Sequence, residues 1–386
     1  MSKDNADITL RVVGSITQVP AEQWDACAGA ADPFVGHAYL RAMEESGSAC
    51  ARTGWAPRHL LAEDRGGRLL ACAPLYLKSH SYGEYVFDWA WAEAYGRAGR
   101  RYYPKLQCAV PFTPVTGRRL LVHPDAVDDS ALQDLLIAGM VGLAKQLAVP
   151  SLHITFPTEA EWRRLTEAGL LPRLGHQYHW RNDGYTCFDD FLAALSSRKR
   201  KAIRKERQQA AALGLEIRAL SGAEVTAAHW DAFHGFYLNT VERKWANAYL
   251  TRAFFHRLGK ALADRVVLIL AFQEGEPVAG ALNLVGDEAL YGRLWGATTE
   301  FRFLHFELCY YQAIEWTIAH RLPRVEAGAQ GEHKLQRGYL PHPTYSAHWI
   351  ADDDFRVLLA RHLDQERAGV TLDIADMAEA GPFRHR

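Results

Sequence analysis

The sequence predicts an α+β protein made of two domains with mixed, mainly antiparallel sheets. Its 386 residues exceed what a single hydrophobic core usually organises. The composition, with 48% hydrophobic and 23% charged residues, is that of a globular chain. The same order of helices and strands is predicted twice along the sequence, which favours two similar domains. We place them at residues 1–182 and 183–386.

The first half begins with a predicted strand and two helices, followed by a hairpin. Two extended runs, residues 59–63 and 68–77, flank the turn Asp64-Arg65-Gly66-Gly67. Hydrophobic periodicity then predicts alternating helices and strands up to the domain boundary. The remaining elements are strands at residues 8–13, 151–156 and 177–181, and helices at residues 21–28, 38–47, 131–148 and 159–168.

The second half repeats this plan. Residues 266–273 and 277–285 form a second predicted hairpin around Glu274-Gly275-Glu276. Two predicted helices again precede this hairpin. A strand, a helix and a short strand follow it. These elements are strands at residues 215–220, 289–296 and 324–327, and helices at residues 227–241, 251–262 and 306–320.

Charge and cysteine spacing exclude several classes of function. The formal net charge is -1, so bulk electrostatic attraction to nucleic acid or to an anionic membrane is not expected. The six cysteines include no C-x-x-C pair, and we predict no metal site. We find neither a signal-peptide core nor an apolar run of the ~20 residues that a membrane span needs. We therefore expect a cytoplasmic protein.

A basic run at residues 197–207 stands out in this neutral chain. Seven of its eleven residues are Lys or Arg, and on a helix Arg200 and Arg204 lie one above the other. Like charges at this spacing repel, and an anion such as a phosphate would relieve the repulsion. The alternative interpretation is a solvated helix that connects the domains.

The predicted helix at residues 306–320 begins with polar and aromatic residues. His305 precedes it, and Tyr310 and Tyr311 follow within its first turns. A helix N-terminus after a strand offers free N–H groups to an anion, and histidine titrates near neutral pH. Taken singly, each of these side chains could equally be a hydrogen-bonded core or cap residue.

The segment 324–339 carries the strongest chemical signal. A short strand runs into small residues and glycines, which allow a ligand to approach the backbone closely. A cluster of polar side chains follows, denser than stability alone requires. Its residues are Glu326, Gly328, Gln330, Gly331, His333, Lys334 and Arg337. We interpret this segment as a site rather than a decorated loop. The sequence has no Walker A loop, G-x-S-x-G elbow or H-E-x-x-H pair.

These stretches resemble the bacterial FemAB-like predicted N-acyltransferases of the acetyltransferase (GNAT) superfamily. The resemblance is carried by FDDFLAALSSRKRKAIRKER at residues 188–207, HFELCYYQAIEW at 305–316 and EAGAQGEHKLQRGYLP at 326–341. It covers nearly the whole chain. It implies two tandem GNAT-like domains, with the active cleft mainly in the second. Fem ligases transfer an aminoacyl group from aminoacyl-tRNA to an amine of a peptidoglycan precursor.

The sequence departs from this pattern in two places, and the donor stays open as a result. Leu213 to Leu215 leaves no room for the coiled-coil arm of some Fem ligases, and no glycine-rich pyrophosphate loop follows Gly296. An acyl-CoA, an acyl carrier protein and an aminoacyl-tRNA all remain as donors. We expect no covalently bound cofactor, and the oligomeric state is not predicted.

The resulting hypothesis is acyl transfer to an amine, with peptidoglycan biosynthesis as the expected setting. A base deprotonates the attacking amine and an acid protonates the leaving group. The predicted bases are Glu326, His333 and His305, and the predicted acids are Tyr310 and Tyr311. The residues predicted to bind substrate or donor are Gln330, Lys334, Arg337, Arg200, Arg204, Gly328 and Gly331. The alternative function is a catalytically silent module that recognises a peptide or cell-wall precursor.

Overall fold

The computed structural model describes residues 8–243, 247–328 and 331–384. Up to the middle of the chain the strands are β1 (Thr9–Val13), β2 (Trp55–Pro57), β3 (His59–Glu63), β4 (Leu69–Ala73), β5 (Leu75–Lys78), β6 (Lys105–Cys108), β7 (Leu121–Val122), β8 (Ser151–Thr155) and β9 (Leu171–Arg181). The helices there are α1 (Ala21–Ala28), α2 (His37–Glu45), α3 (Trp89–Arg97), α4 (Asp129–Gln146) and α5 (Glu159–Glu167).

Beyond β9, helices predominate before and after a strand meander. The helices are α6 (Phe188–Ala194), α7 (Ser197–Ala211), α8 (Ala227–Arg243), α9 (Arg252–Ala261), α10 (Leu304–Phe306), α11 (Gln312–Ala319) and α12 (Asp353–Glu379). The strands are β10 (Glu216–Ser221), β11 (Val266–Gln273), β12 (Glu276–Val285), β13 (Ala289–Ala297), β14 (Arg324–Glu326) and β15 (Leu340–Ile350). A π-helical segment, Glu307–Tyr311, separates α10 from α11. Short 3₁₀ turns are at Ile16–Gln18, Ala51–Thr53, Gly222–Glu224, Ala263–Arg265 and Glu332–Arg337.

The chain forms two compact units. The first joins residues up to Gly175 with Thr344–Val370, and the second joins His176–Pro343 with residues from Thr371 onward. The chain passes from one unit to the other within β9, β15 and α12. Both units are α+β with mainly antiparallel strand pairs, which confirms the predicted fold class.

The predicted division at residues 182 and 183 differs from these units in two respects. The first unit ends at Gly175, and it also takes in Thr344–Val370. The cause is a returning strand, because Ser346 to Ile350 in β15 pair with β8 of the first unit. The order of elements predicted from the sequence ends at residue 327, without β15 or α12, and so leaves this segment in the second half.

The first unit contains two sets of paired strands. One set is β1-β3-β4-β7, in which the pairs are antiparallel. The other is β2-β5-β6-β8 with the returning part of β15, in which β6 and β8 run parallel. Helix α4 buries Leu132, Leu136 and Met140 in the core of this unit. Leu359 of α12 packs with Trp91 of α3 in a smaller cluster.

The second unit is built on the strand order β10-β11-β12-β13-β14-β9. The neighbouring pairs are antiparallel except β13 and β14, which are parallel. Its core is aromatic, with Trp180 and Phe191 fully buried beside Tyr311 and Tyr339. Helix α8 packs against β12 and β13 on this sheet. The sheet therefore contains one parallel pair between antiparallel neighbours.

Helix α8 and strand β13 approach so closely that a side chain would not fit between them. A Cβ atom on Gly296 would lie 2.3 Å from the backbone carbon and oxygen of Phe236. The space is closed by backbone, which cannot move aside as a flexible side chain can. Gly296 is therefore required for this packing.

We predict that Gly296→Ala lowers the free energy of unfolding by about 1–3 kcal/mol, because overpacking forces the helix off the sheet. Gly235→Ala is the matched control on the same helix, since a Cβ atom added there would meet nothing within 4 Å. That variant should gain roughly 0.5–1 kcal/mol from helix propensity. Chemical denaturation measures both, and equal stabilities of the two variants would contradict the close approach.

Candidate active site

The two parallel strands of the second unit separate after three residue pairs. Leu290 pairs with Val325 and Tyr291 with Glu326, after which β14 ends while β13 continues to Ala297. Beyond Tyr291 and Glu326 the two strands are no longer paired, although Gly292 stays beside Glu326 and Ala327. Strand ends that part in this way expose backbone groups to a ligand.

Glycines occur on both chains just beyond the last residue pair. A Cβ atom on Gly292 would lie 3.5 Å from the Glu326 carbonyl oxygen and 3.8 Å from the Ala327 Cα atom. Gly328 adopts a φ of +79°, in the left-handed region that favours glycine. The role predicted for Gly328, to let a ligand approach the backbone, stays a prediction.

One wall of the site, which we name the helical wall, is formed by α10, the π-helical segment and α11. Residues Glu307–Tyr311 are π-helical, whereas the sequence predicts a regular helix from residue 306. Isolated π turns are rare and occur often at functional sites. Tyr310 and Tyr311 are both buried here, although they are consecutive. Their hydroxyl groups bond to different partners on different elements.

Tyr310 and His333 form a hydrogen-bonded pair. The Tyr310 hydroxyl lies 2.9 Å from Nε2 of His333. His305 borders this pair, with its ring centroid 5.4 Å from that of Tyr310 and 6.1 Å from that of His333. On its other side His305 meets Trp295 of β13, with ring centroids 5.2 Å apart. Three residues predicted from two separate stretches of sequence are thus neighbours.

His333 lies on a 3₁₀ turn, Glu332–Arg337, between two glycines in the left-handed region. Gly331 has a φ of +107°, and a Cβ atom there would lie 2.5 Å from the His333 ring. Gly338 has a φ of +90°, and a Cβ atom there would lie 2.7 Å from the Phe191 ring. Each glycine therefore serves backbone geometry as well as space, and Gly331 leaves room for the His333 ring.

Glu206 of α7 joins the turn to the helical wall. Its carboxylate accepts two hydrogen bonds from Arg337, at 2.8 and 3.1 Å, and another from the Tyr311 hydroxyl. Arg337 also donates to the His333 carbonyl oxygen at 2.7 Å, and its guanidinium lies 3.5 Å from the centroid of the Phe306 ring. One carboxylate therefore orients both the acid candidate Tyr311 and the backbone of His333.

Arg207, the next residue on α7, makes a second connection to the helical wall. It donates to Glu307 at 2.8 and 3.1 Å and to Glu315 at 2.8 and 2.9 Å. Bidentate pairs of this kind are geometrically specific. Neither Glu206 nor Arg207 is predicted from the sequence as a site residue. The signal available in the sequence is that Glu206 is the single acidic residue of the basic run.

Lys334 is buried and lies against the exit of β14. Its amino group donates to the Gly328 carbonyl oxygen at 2.9 Å, and burial lowers the pKa of Lys334 to about 8. Partial burial also lowers the pKa of His333, and the charges of Arg337 and Lys334 lower it further. Burial raises the pKa of Tyr310. At neutral pH the histidine is thus a neutral base beside a protonated phenol.

The remaining predicted residues are Glu326, Arg200, Arg204 and Gln330. Glu326 is buried, accepts a hydrogen bond from Arg324 at 2.9 Å and lies 3.7 Å from Nε2 of His179. Arg204 is exposed on α7 and lies 3.3 Å from Asp189, while Arg200 is half-buried on the same helix. Gln330 lies outside the residues that the structure describes.

The sequence matches the FemAB-like family, described as peptidoglycan biosynthesis/recognition, over residues 15–385. The chain belongs to the FemAB-like family. This agrees with the resemblance found in the sequence. No curated protein matches the chain significantly.

Solved structures show that this FemAB-like chain shares its fold with two groups of proteins. The crystal structure of FemX is 12% identical, with a TM-score of 0.54, covering 91% of this chain and 100% of that one. The C-terminal domain of a putative lysylphosphatidylglycerol synthetase from Agrobacterium fabrum is 10% identical, with a TM-score of 0.55 and coverages of 90% and 96%. L-PGS from Bacillus licheniformis is 10% identical, with a TM-score of 0.51 and coverages of 86% and 97%. The fold predicted from the sequence is confirmed.

The described helices of this FemAB-like protein, those within residues 8–243, 247–328 and 331–384, include none with the length and apolarity needed to cross a membrane.

We predict that Glu206→Gln costs roughly 2–4 kcal/mol of stability, because it leaves the buried Arg337 guanidinium without its carboxylate. The matched control is Glu216→Gln. Glu216 pairs with Arg218 through the same two nitrogen positions, at 2.6 and 2.7 Å, but on the exposed surface. An exposed pair is worth about 0–1 kcal/mol, so this control should unfold almost as the parent does. Thermal and denaturant unfolding of both variants measure the difference, and similar losses would refute the role of Glu206.

Proposed function

We propose that this FemAB-like transferase is an N-acyltransferase that moves an acyl or aminoacyl group from a tRNA or CoA-type donor to an amine. The proposed acceptor is a peptidoglycan precursor. The observation that carries the proposal is the hydrogen bond between Tyr310 and His333. A neutral base paired with a protonated acid is what acyl transfer to an amine requires. The family description supports the acceptor class.

In the proposed mechanism, the amine nitrogen attacks the acyl carbon of the donor. The new N–C bond forms, and the bond from that carbon to the donor oxygen or sulfur breaks. His333 takes the proton that the nitrogen loses, and Tyr310 gives its proton to the departing oxygen or sulfur. His333 then returns a proton to Tyr310 through their 2.9 Å hydrogen bond, which restores both groups. No covalent enzyme intermediate is needed, because the transfer depends on positioning.

The pKa shifts favour these assignments. Burial lowers the pKa of His333 and raises that of Tyr310, so each group holds the protonation state that its role requires. Glu326, the other predicted base in the strand exit, already accepts a hydrogen bond from Arg324. We therefore assign the base role to His333 and a structural role to Glu326. His305 borders the pair and is assigned to substrate positioning.

The basic residues divide into two groups in this proposal. Arg337 is held by Glu206 and shapes the turn that carries His333. Arg200 and Arg204 lie outside this network on α7, where they are proposed to face donor phosphates. Lys334 donates to the Gly328 carbonyl oxygen and contributes positive charge just beyond the end of β14. Donor binding and catalysis would thus use different basic side chains.

We predict that His333→Ala and Tyr310→Phe each lower kcat by about 10²–10⁴-fold, the usual contribution of general acid–base catalysis. The assay pairs acetyl-CoA or mixed aminoacyl-tRNAs as donors with a stem peptide carrying a free amine. Glu276→Gln, an exposed change at the start of β12, is the control and should retain activity. Wild-type turnover in both site variants would refute the assignment, and binding without turnover by the wild type would favour the binding module.

The pH profile tests the same pair independently. Because the His333 pKa is lowered, its basic form persists below the ordinary 6.5, and the acidic limb of the activity profile should lie below that pH. Lys334→Met removes a positive charge that opposes protonation of the ring. The His333 pKa should rise, and the acidic limb should move to higher pH. If the acidic limb of the Lys334→Met profile stays at the wild-type pH, His333 is not the titrating base.

The donor class is testable through salt dependence. If tRNA phosphates contact α7, the observed affinity should fall steeply with salt, by about 10³-fold or more between low and moderate ionic strength for six phosphate contacts. Arg200→Gln with Arg204→Gln should flatten this dependence. A CoA-type donor with few phosphates should show a shallow dependence that these substitutions barely change. The control is Arg218→Gln, a surface arginine on β10.

A further inference from the structure

Buried charged side chains hold the segment between β5 and α3 in the first unit. The amino group of Lys105 donates to Ser81 at 2.8 Å and to Glu84 at 2.8 Å, and it contacts Asp88. Tyr102 donates to the same Asp88 carboxylate at 2.7 Å. All three acceptors on the segment are buried. These polar side chains are therefore directed into the protein.

A second buried lysine holds the backbone of this segment. Lys78 donates to the Tyr82 carbonyl oxygen at 3.1 Å and lies 3.7 Å from the centroid of the Trp55 ring. Burial lowers the pKa of Lys78 to about 7 and raises that of Glu84 to about 7. Removing such charges from water is costly, and the cost is met only where the geometry is tightly fixed. The segment is thus held at Ser81, Tyr82, Glu84 and Asp88 by the two buried lysines.

The opposite face of the segment is aromatic and exposed. Tyr82, Phe87 and Trp89 expose 45%, 58% and 41% of their surface, and the Tyr82 and Trp89 ring centroids are 4.9 Å apart. Residues 82–90 all belong to the described part of the chain, and no charged side chain among them is exposed, because the two acidic residues there are the buried ones. Clustered exposed aromatic groups mark interaction sites more often than single exposed residues do. We name this set the aromatic face.

A cationic edge continues the aromatic face along α3. Trp89, Glu93 and Arg97 are spaced four residues apart and share one side of the helix. The Arg97 side chain is 72% exposed and lies 3.7 Å from Glu93, and two further arginines, Arg100 and Arg101, follow the helix. Arg97 and Arg100 thus each pair with a carboxylate, and Arg101 is exposed beyond them. Apolar rings and arginines therefore occur side by side.

The chemistry of this surface distinguishes between occupants. The carboxylates suited to bind sugar hydroxyls, those of Glu84 and Asp88, are buried against Lys105. Aromatic rings with flanking arginines are the composition found at the membrane–water interface, where rings sit at headgroup depth and guanidinium groups meet lipid phosphates. We propose that the aromatic face docks the first unit onto an anionic bilayer surface. This proposal does not depend on the transferase chemistry of the second unit.

The test is co-sedimentation of the full chain with vesicles. Vesicles of phosphatidylglycerol and phosphatidylcholine in equal parts should bind the wild type reversibly, and vesicles of phosphatidylcholine alone should bind it less. Phe87→Ser with Trp89→Ser should weaken partitioning about tenfold or more, because both rings leave the interface. Arg97→Gln with Arg101→Gln should lower binding to the anionic vesicles only, and should reduce its salt dependence.

Leu238→Ser with Leu372→Ser is the matched control, since both side chains are exposed at 40% and 66% in the second unit. It should bind vesicles as the wild type does. The proposal is overturned if the wild type stays in solution with both vesicle types, or if the Phe87 and Trp89 variant binds unchanged. A variant that alters the molar mass in light scattering, while vesicle binding stays the same, would overturn it in favour of a protein interface. Circular dichroism confirms that each variant is folded.

Discussion

The candidate site depends on one carboxylate. Glu206 accepts hydrogen bonds from Tyr311 on the helical wall and from Arg337 on the turn, so two elements are fixed to a third by a single group. A half-buried carboxylate between an arginine and a phenol is stable because its lone pairs find donors and its charge finds a cation. The orientation of His333 follows from this arrangement, since Arg337 also holds its carbonyl oxygen.

The sheet and the helical wall supply complementary parts of the site. The end of the β13–β14 pairing is bordered by glycine and backbone, which carry no reactive side chain. The π-helical turn supplies chemistry by burying two consecutive tyrosines with different partners. The fold therefore provides a location, while irregular backbone at that location positions the proposed acid and base.

The parts of the molecule that depend on short-range sequence patterns can be predicted from the sequence. The two hairpins, the strand exit at Glu326 and the cluster ending at Arg337 are predictable because their signals are turn residues, periodicity and short spacing. Glu206 escapes prediction because its partner Arg337 lies 131 residues away, and no local pattern reports such a contact. The pairing of β15 with β8 escapes it for the same reason. The π-helical turn is not predictable because a helical hydrophobic stripe does not reveal one extra residue in a turn.

The return of Thr344–Val370 to the first unit also bears on how the protein is made. Domains generally fold as they leave the ribosome, the N-terminal one first. Here strand β8 lacks one neighbour until β15 has been synthesised, and the Trp91 cluster lacks Leu359 for equally long. The first unit is thus completed only after translation of the second is nearly finished. During that interval the newly made chain exposes an unpaired edge of β8. Chaperone binding would protect such an edge from pairing with other chains.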